Sequence, residues 1–284
     1  MKPEQTIKVD DQITIRRAGT IAEYLACQDA QRKAWSISDD SYIVPIATLI
    51  GANLHGGLVL GAFVPGGEAV AMSFAFLGRV EDRICLYSQL TGVVPGYQSK
   101  GLGYAIKRLQ RTIAHDEGIE RIAWAFDPMQ AGNAHFNLAR LGASAERFVE
   151  NMYGPRTDAL NAGVPTDRLI AEWETCEREG ITAVSIDDAG TLPHLIETEQ
   201  GNDAAAGAPV HVDESVFGTP RVLLEIPNDI VELRREQPSL AERWRAAVGE
   251  AFRAAFASGY RAVHFIRDES SGRRRSFYVL ERVT

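Results

Sequence analysis

Thirty-six consecutive residues, Tyr42 to Leu77, carry a single formal charge, Glu68. So apolar a stretch must leave water, either into a bilayer or into the middle of a globule. Pro45, Gly56, Gly57, Pro65, Gly66 and Gly67 cut it into pieces too short to cross ~30 Å of hydrocarbon as one helix. Buried strands answer the pattern better. Gly57 to Phe63 and Glu68 to Phe76 read as two strands joined by the turn Pro65-Gly66-Gly67. The chain is expected to be organised around a buried sheet.

The flanking segments supply further elements. Ile13 to Arg17 alternates like a strand, and Thr20 is placed to cap a helix running to about Trp35. A third strand runs from Arg83 to about Val94 and stops at Pro95, which cannot continue a ladder. From Gly101 to His115 the apolar residues Leu102, Ala105, Ile106, Leu109 and Ile113 share one helical face, and Gly118 suits the end of that helix. Arg121 to Phe126 reads as a strand, Gly132 to Leu141 as a helix closed by Gly142, and Glu146 to Tyr153 as a strand. A strand-helix-strand crossover within this order implies a mixed α/β sheet with parallel character.

Two prolines, a glycine and turn-forming residues between Pro155 and Pro165 mark a boundary, giving domains 1–160 and 161–284. In the second part, Leu169 to Trp173, Thr182 to Ile186, Val222 to Ile226, Val263 to Ile266 and Ser276 to Val283 read as strands. Leu240 to Ala257 reads as a helix, Thr198 to Val212 as an exposed loop, and the segment after Pro227 as a loop without glycine. The decapeptide Gly118 to Asp127 (GIERIAWAFD) is echoed by Gly259 to Asp268 (GYRAVHFIRD). A duplicated domain whose second copy has lost parts would explain the echo; chance likeness of two helix-strand junctions is the alternative.

Chemistry concentrates in Val93 to Leu109, VVPGYQSKGLGYAIKRL. A strand ends at a proline, a short loop follows, and QSKGLG opens a helix. The first turn of a helix leaves N–H groups without internal partners and carries partial positive charge, so it suits a diphosphate. Gly101 and Gly103 would let phosphates approach the main chain closely. Gln98, Ser99 and Lys100 stand beside it, Tyr104 follows, and Leu102 would turn its side chain to the core. A dinucleotide-binding loop fits poorly, because it needs a third glycine where Ile106 or Lys107 stands.

Gln98, Gly101 and Gly103 match, residue by residue, the diphosphate loop of the GNAT superfamily of acyltransferases, and the element order from about Ile13 to Tyr153 resembles the same fold. The resemblance implies a GNAT-like acyl-CoA-binding domain followed by a smaller α/β domain, read as a degenerate GNAT-like repeat. It implies that acetyl-CoA or another acyl-CoA lies with its pantetheine arm along Thr91 to Val94, so that Val93 and Val94 join the cofactor-binding set. It places Arg140 and Asn133 near the coenzyme, although a solvated helix-end arginine is as good a reading of Arg140. The segments Asp127 to Gly142, Asn151 to Gly154 and Pro165 to Leu169 are similar to a branch of predicted GNAT proteins whose relatives include N-succinyltransferases. That points to acetyl or succinyl transfer to a small amine, such as an amino acid.

One departure matters. Where many members carry a tyrosine that protonates the departing thiolate, this chain has Leu138. A base is wanted more than a nucleophile for aminolysis of a thioester. Asp127 and His135 are the catalytic candidates by position, each with a plain alternative: a turn residue before Pro128, and a structural histidine. No cysteine lies near the glycine loop, so direct attack by the amine is expected. The competing reading is a non-catalytic acyl-CoA sensor or partner-binding module.

Composition closes off other classes. A net charge of −8 and pI near 5.4 disfavour a nucleic-acid binder. Cys27, Cys85 and Cys176 are odd in number and widely spaced, which fits a reducing compartment rather than disulfides or a metal site. The N-terminus lacks an apolar secretory core. The expectation is a cytoplasmic protein with no metal and no membrane partner, its second half covering the acceptor cleft or forming a homodimer surface.

Overall fold

The computed structural model describes residues 5–9, 12–80, 82–155, 163–176, 191–199, 207–268 and 274–283. They form a mixed α/β protein of two compact units, with the seam between Trp124 and Ala125 and again between Trp173 and Glu174. The boundary read at residue 160 lies downstream of the first seam, in a proline-rich stretch of which residues 156–162 are outside the described set.

The first unit is a sheet with the order β1 (Ile7–Lys8), β2 (Thr14–Arg17), β3 (Leu58–Phe63), β4 (Ala69–Val80), β5 (Arg83–Val93), β6 (Arg121–Phe126). Neighbours run antiparallel from β1 to β5, and β5 and β6 are parallel. The parallel step is made by α3 (Leu102–Asp116), as the crossover in the sequence required. β3 is buried along its whole length, and so is β4 as far as Ala75, which accounts for most of the uncharged stretch.

The expected strands do not account for all of it. Ile46–Leu54 is a helix, α2, led by Pro45. Its sequence, IATLIGANL, has no charge to reveal a 3.6-residue period, so a proline that reads as a breaker is in fact a helix start. Asn53 fixes it in place: the buried amide donates to the Ala18 carbonyl at 3.0 Å and Tyr24 Oη at 2.7 Å, and accepts the Val59 N–H at 2.9 Å. The apolar core beneath gathers Tyr24, Cys27, Leu49, Met72 and Phe74.

α1 (Ile21–Ala34) starts at Thr20 as read. The Glu23 N–H donates to Thr20 Oγ1 at 3.3 Å, while the Thr20 and Gly19 N–H groups donate to Glu23 Oε2. Arg16 bonds the other oxygen of Glu23 and, with these amides, holds that carboxyl well below the usual carboxylate range. Thr20→Ala is expected to cost about 1 kcal/mol in urea denaturation, the usual worth of such a cap. At the other end of α1, the Trp35 ring fills the space beside Gly92 of β5, where a Cβ would come within 2.5 Å of it.

The second unit orders its strands β8 (Arg168–Glu174), β7 (Ser144–Val149), β12 (Tyr260–Asp268), β13 (Arg275–Arg282), β11 (Arg221–Ile226), all antiparallel. α4 (Ala131–Ala134) continues as a π-helical turn, His135–Arg140. β7 stops at Val149, short of the expected Tyr153, because the chain turns through Asn151 at φ 44°. The segment after Pro227 is no loop: Ile230–Glu236 is a helix, α5, whose start is held by Asp229 accepting the Val231 and Glu232 N–H groups. α6 (Pro238–Ala257) follows. The expected loop Thr198 to Val212 ends instead in a strand, β10 (Pro209–Val212), which pairs with β9 (Ile196–Thr198); residues 200–206 are outside the described set, as is the expected strand at Thr182 to Ile186. The two echoed decapeptides share a local form, a left-handed glycine (Gly118 φ 78°, Gly259 φ 79°) between a helix and a strand. Among the described residues no helix is long and apolar enough to cross a membrane.

Candidate functional site

β5 forms a fork with β6. The two strands pair only at Leu86 with Ile122 and Tyr87 with Ala123, and from Ser88 onward no further pairing with β6 is made among the described residues. On the other side, β5 stays on β4 to its end, with a bulge: Phe74 faces Leu90 and Ala75 faces Ser88, leaving Gln89 extra. A bulge bends its strand and strengthens the local twist, which turns β5 away from its neighbour.

The loop leaving the fork is shaped by three left-handed residues, Gly96 (φ 87°), Ser99 (φ 62°) and Gly101 (φ 78°). The Tyr97 N–H donates to the Val94 carbonyl at 3.0 Å, and Gln98 Nε2 donates to the Val93 carbonyl at 3.3 Å. Left-handed residues alternating with ordinary ones turn successive N–H groups toward one concavity, a shape that suits anions. α3 opens at Gly101 with no side-chain cap, and its first internal bond is the Ala105 N–H to the Gly101 carbonyl at 3.0 Å. The amides of Leu102 and Gly103 therefore end the helix unspent, at its positive pole.

The glycines leave that pole open. A Cβ on Gly101 would meet nothing within 4 Å, and one on Gly103 would meet only Val93 Cγ2 at 4.0 Å. Gly101 is required by its backbone angle. At Gly103 neither a left-handed backbone angle nor a close neighbour excludes a side chain. Gln98, Ser99 and Lys100 are exposed around the mouth, and Lys100 Nζ rests 4.9 Å from the Tyr97 ring centroid. Leu102 is buried as read, and Tyr104 is half-buried. Val93 and Val94 are half-buried at the end of the strand; the Val94 N–H is committed to the Val70 carbonyl at 2.9 Å.

Behind the mouth lies a buried polar layer that the sequence reading missed. Lys107 Nζ donates to Ser88 Oγ at 2.9 Å and Gln110 Oε1 at 3.4 Å, and lies 4.0 Å from the Trp124 ring centroid. Gln110 donates on to Ser73 Oγ at 3.4 Å, and Ser73 bonds Thr91 Oγ1 at 3.0 Å and the Leu90 carbonyl at 3.1 Å. Burial alone pulls the Lys107 pKa down to about 7. The available signal was spacing: Lys107, Gln110 and Ala114 form a second stripe at three- and four-residue intervals, beside the apolar one.

The remaining candidates belong to the second unit. Asp127 is held on both oxygens: Oδ1 accepts the Met129 N–H at 2.9 Å, and Oδ2 pairs with Arg245 at 3.3 Å, which also reaches Asp167 at 3.5 Å. His135 lies on the π-helical turn with Nδ1 buried and unpartnered. Burial, then the charges of Arg267, Arg140 and His264, keep its pKa below the usual imidazole value. Asn133 and Arg140 are exposed, and Leu138 is fully packed. None of the three cysteines forms a disulfide among the described residues: Cys85 is buried, Cys176 exposed, and burial pushes the Cys27 thiol up to about 12. Among the described residues no three His, Cys, Asp or Glu side chains gather as a metal site.

No family model matches the chain, and no curated protein matches it. Solved structures do. The ribosomal-protein alanine N-acetyltransferase of Escherichia coli is 19% identical, covers 61% of this chain and 99% of its own, and has a TM-score of 0.45. A GNAT family acetyltransferase of Elizabethkingia anophelis with acetyl-CoA bound is 18% identical, with 58% and 99% covered and a TM-score of 0.42. An N-acetyltransferase of Staphylococcus aureus is 12% identical, with 58% and 100% covered and a TM-score of 0.47.

Proposed function

We propose that this chain is an acyl-CoA-dependent N-acyltransferase that moves an acetyl or succinyl group to the amine of a small molecule, such as an amino acid. The observation that carries the reading is the open mouth of α3, where Gly103 leaves room beside unspent amides. A diphosphate there would accept the Leu102 and Gly103 N–H groups and offset the helix dipole. The forked edge of β5 then offers main-chain groups to an extended pantetheine arm, in the manner of an added strand.

In the reaction, the acceptor nitrogen attacks the thioester carbonyl, and the carbon–sulfur bond breaks with coenzyme A leaving as a thiolate. Proximity within one complex supplies much of the rate, and loss of the amine proton completes the amide. Direct attack is supported by the cysteines, none of which lies in the loop or in the polar layer. Of the two base candidates, His135 is the better supported: its ring is kept neutral and one nitrogen is unpartnered, whereas Asp127 is tied to Arg245 and Met129. Three widely spaced cysteines that form no disulfide among the described residues suit a reducing compartment, which supports a cytoplasmic site of action.

The engagement of Asp127, together with Leu138 in place of a thiolate-protonating tyrosine, favours a second reading, an acyl-CoA sensor without turnover. Calorimetry with acetyl-CoA, succinyl-CoA and free coenzyme A is expected to show uptake of each. Thiol release over a panel of amino acids and small amines then separates the readings: turnover above background hydrolysis supports the enzyme, and binding without turnover supports the sensor. No uptake of any thioester would end both.

A further inference from the structure

The chain has only five lysines, and three of them, Lys8, Lys33 and Lys100, are exposed. Lys107 is the opposite, 4% exposed and without a carboxylate partner among the described residues. A charged ammonium in such surroundings is costly, so the amine gives up its proton far more readily than a surface lysine. With its pKa pulled down to about 7, a large share of it is a neutral, nucleophilic amine at neutral pH.

Its position matters as much as its charge. Lys107 stands on α3, the helix whose first turn forms the open mouth. Its Nζ touches Ser88, the residue at which β5 parts from β6 and beside which Gln89 bulges. From Val93 back to Ser88 the strand covers five steps, roughly 17 Å at about 3.3 Å per residue. That is close to the reach of an extended pantetheine arm. An arm anchored at the mouth and laid along this edge would bring its thioester to the crotch of the fork, where the Lys107 amine waits.

We propose that Lys107 is itself an acyl acceptor: the chain acylates its own buried lysine from the acyl-CoA it binds, and so limits its own turnover. This rests on the acyl-CoA reading above. The Nζ lone pair attacks the thioester carbonyl carbon; the carbon–sulfur bond breaks and the sulfur leaves with its electron pair. The proton lost from Nζ passes to that thiolate, giving free coenzyme A and an amide on Lys107, with no other reactant. The amide is stable and cannot ionise. It also adds volume at the crotch of the fork, where the next thioester would have to sit.

The test needs no knowledge of the natural acceptor. The full chain is incubated with acetyl-CoA alone slightly above neutrality, and the modified positions are mapped by mass spectrometry while free thiol is followed and binding is measured by calorimetry. One acetyl group is expected on Lys107, matched by one thiol released, with labelling at least about tenfold faster than at Lys33. Acetic anhydride, a donor with no nucleotide handle, is expected to reverse the order, marking Lys8, Lys33 and Lys100 before Lys107. Lys107→Met should bind acetyl-CoA and release no thiol in the absence of acceptor. Acetyl-CoA that binds yet leaves Lys107 unmodified, or marks it no faster than the exposed lysines, overturns this proposal and leaves the acyl-CoA reading standing. Absence of binding overturns both.

Discussion

Gly103→Glu is expected to weaken acetyl-CoA binding by more than about 100-fold while the protein stays folded, because a side chain here strikes the ligand and nothing else. A Cβ at this position meets only Val93 Cγ2, at the ordinary contact distance of 4.0 Å, so the fold absorbs the substitution. Within α3 the change should even help stability, by about 0.5–1 kcal/mol, since glutamate is a better helix former than glycine and its charge suits the first turn. The same carboxylate would occupy and repel the place of the diphosphate. Calorimetry and a thermal melt on one preparation read both effects. Wild-type affinity in this variant would mean that no phosphate sits at the head of α3. Gly101 is a poorer probe, because its left-handed backbone would add strain of about 1–2 kcal/mol to any side chain and mix the two effects.

The second large effect concerns Lys107. Its pKa falls from the usual 10.5 to about 7 on folding. Between those values the unfolded chain holds the proton and the folded chain does not, so stability should climb with pH by up to ~1.4 kcal/mol per unit across that window. Below about 7 both states are protonated and the contribution is flat. The groups packed against the amine, Ser88, Gln110 and Trp124, do not titrate in this range, so the difference between the wild type and a Lys107 variant isolates the lysine. Lys107→Met removes the cost of burying the amine and forfeits two hydrogen bonds of about 1 kcal/mol each, for a net gain of roughly 1–3 kcal/mol at neutral pH. Urea denaturation at several pH values should show the variant ahead near neutrality and the wild type closing the gap toward pH ~10. Two parallel curves would show that the amine does not lose its proton on folding.

What the sequence revealed and what it hid follow from the physics of each signal. Thr20 with Glu23, the proline after β5, the amphipathic stripe of α3 and the glycines after helices are local devices, and each produced the element that its residues announce. α2 was hidden because a nine-residue helix without a charge and with few polar residues has no clear period to detect, and α5 because a segment of mixed charge reads as solvent-exposed whether or not it is coiled. The mouth of α3 was legible from Gly101 and Gly103, since chain-local geometry makes it. Asp127 was legible as a residue at a strand end but not as the partner of Arg245, which lies 118 residues away. The polar layer depends on which residues meet across α3 and β5: the stripe of Lys107, Gln110 and Ala114 is visible as a spacing, but its Ser88 and Ser73 partners on the strands are not.

The single extra residue in β5 has a reach beyond bending the strand. Ser73 and Ala75, two apart on β4, present the same side of the sheet, and their partners are Thr91 and Ser88. Those two are three apart, an odd interval that in an unbroken strand would send them to opposite surfaces. Gln89 restores the parity, so one hydroxyl can meet Lys107 while the other, through Ser73, meets Gln110. The interior thus depends on a count rather than on an identity: many side chains could stand at position 89, but removing the position altogether would swing one of the two hydroxyls out of the helix interface and leave its partner bare.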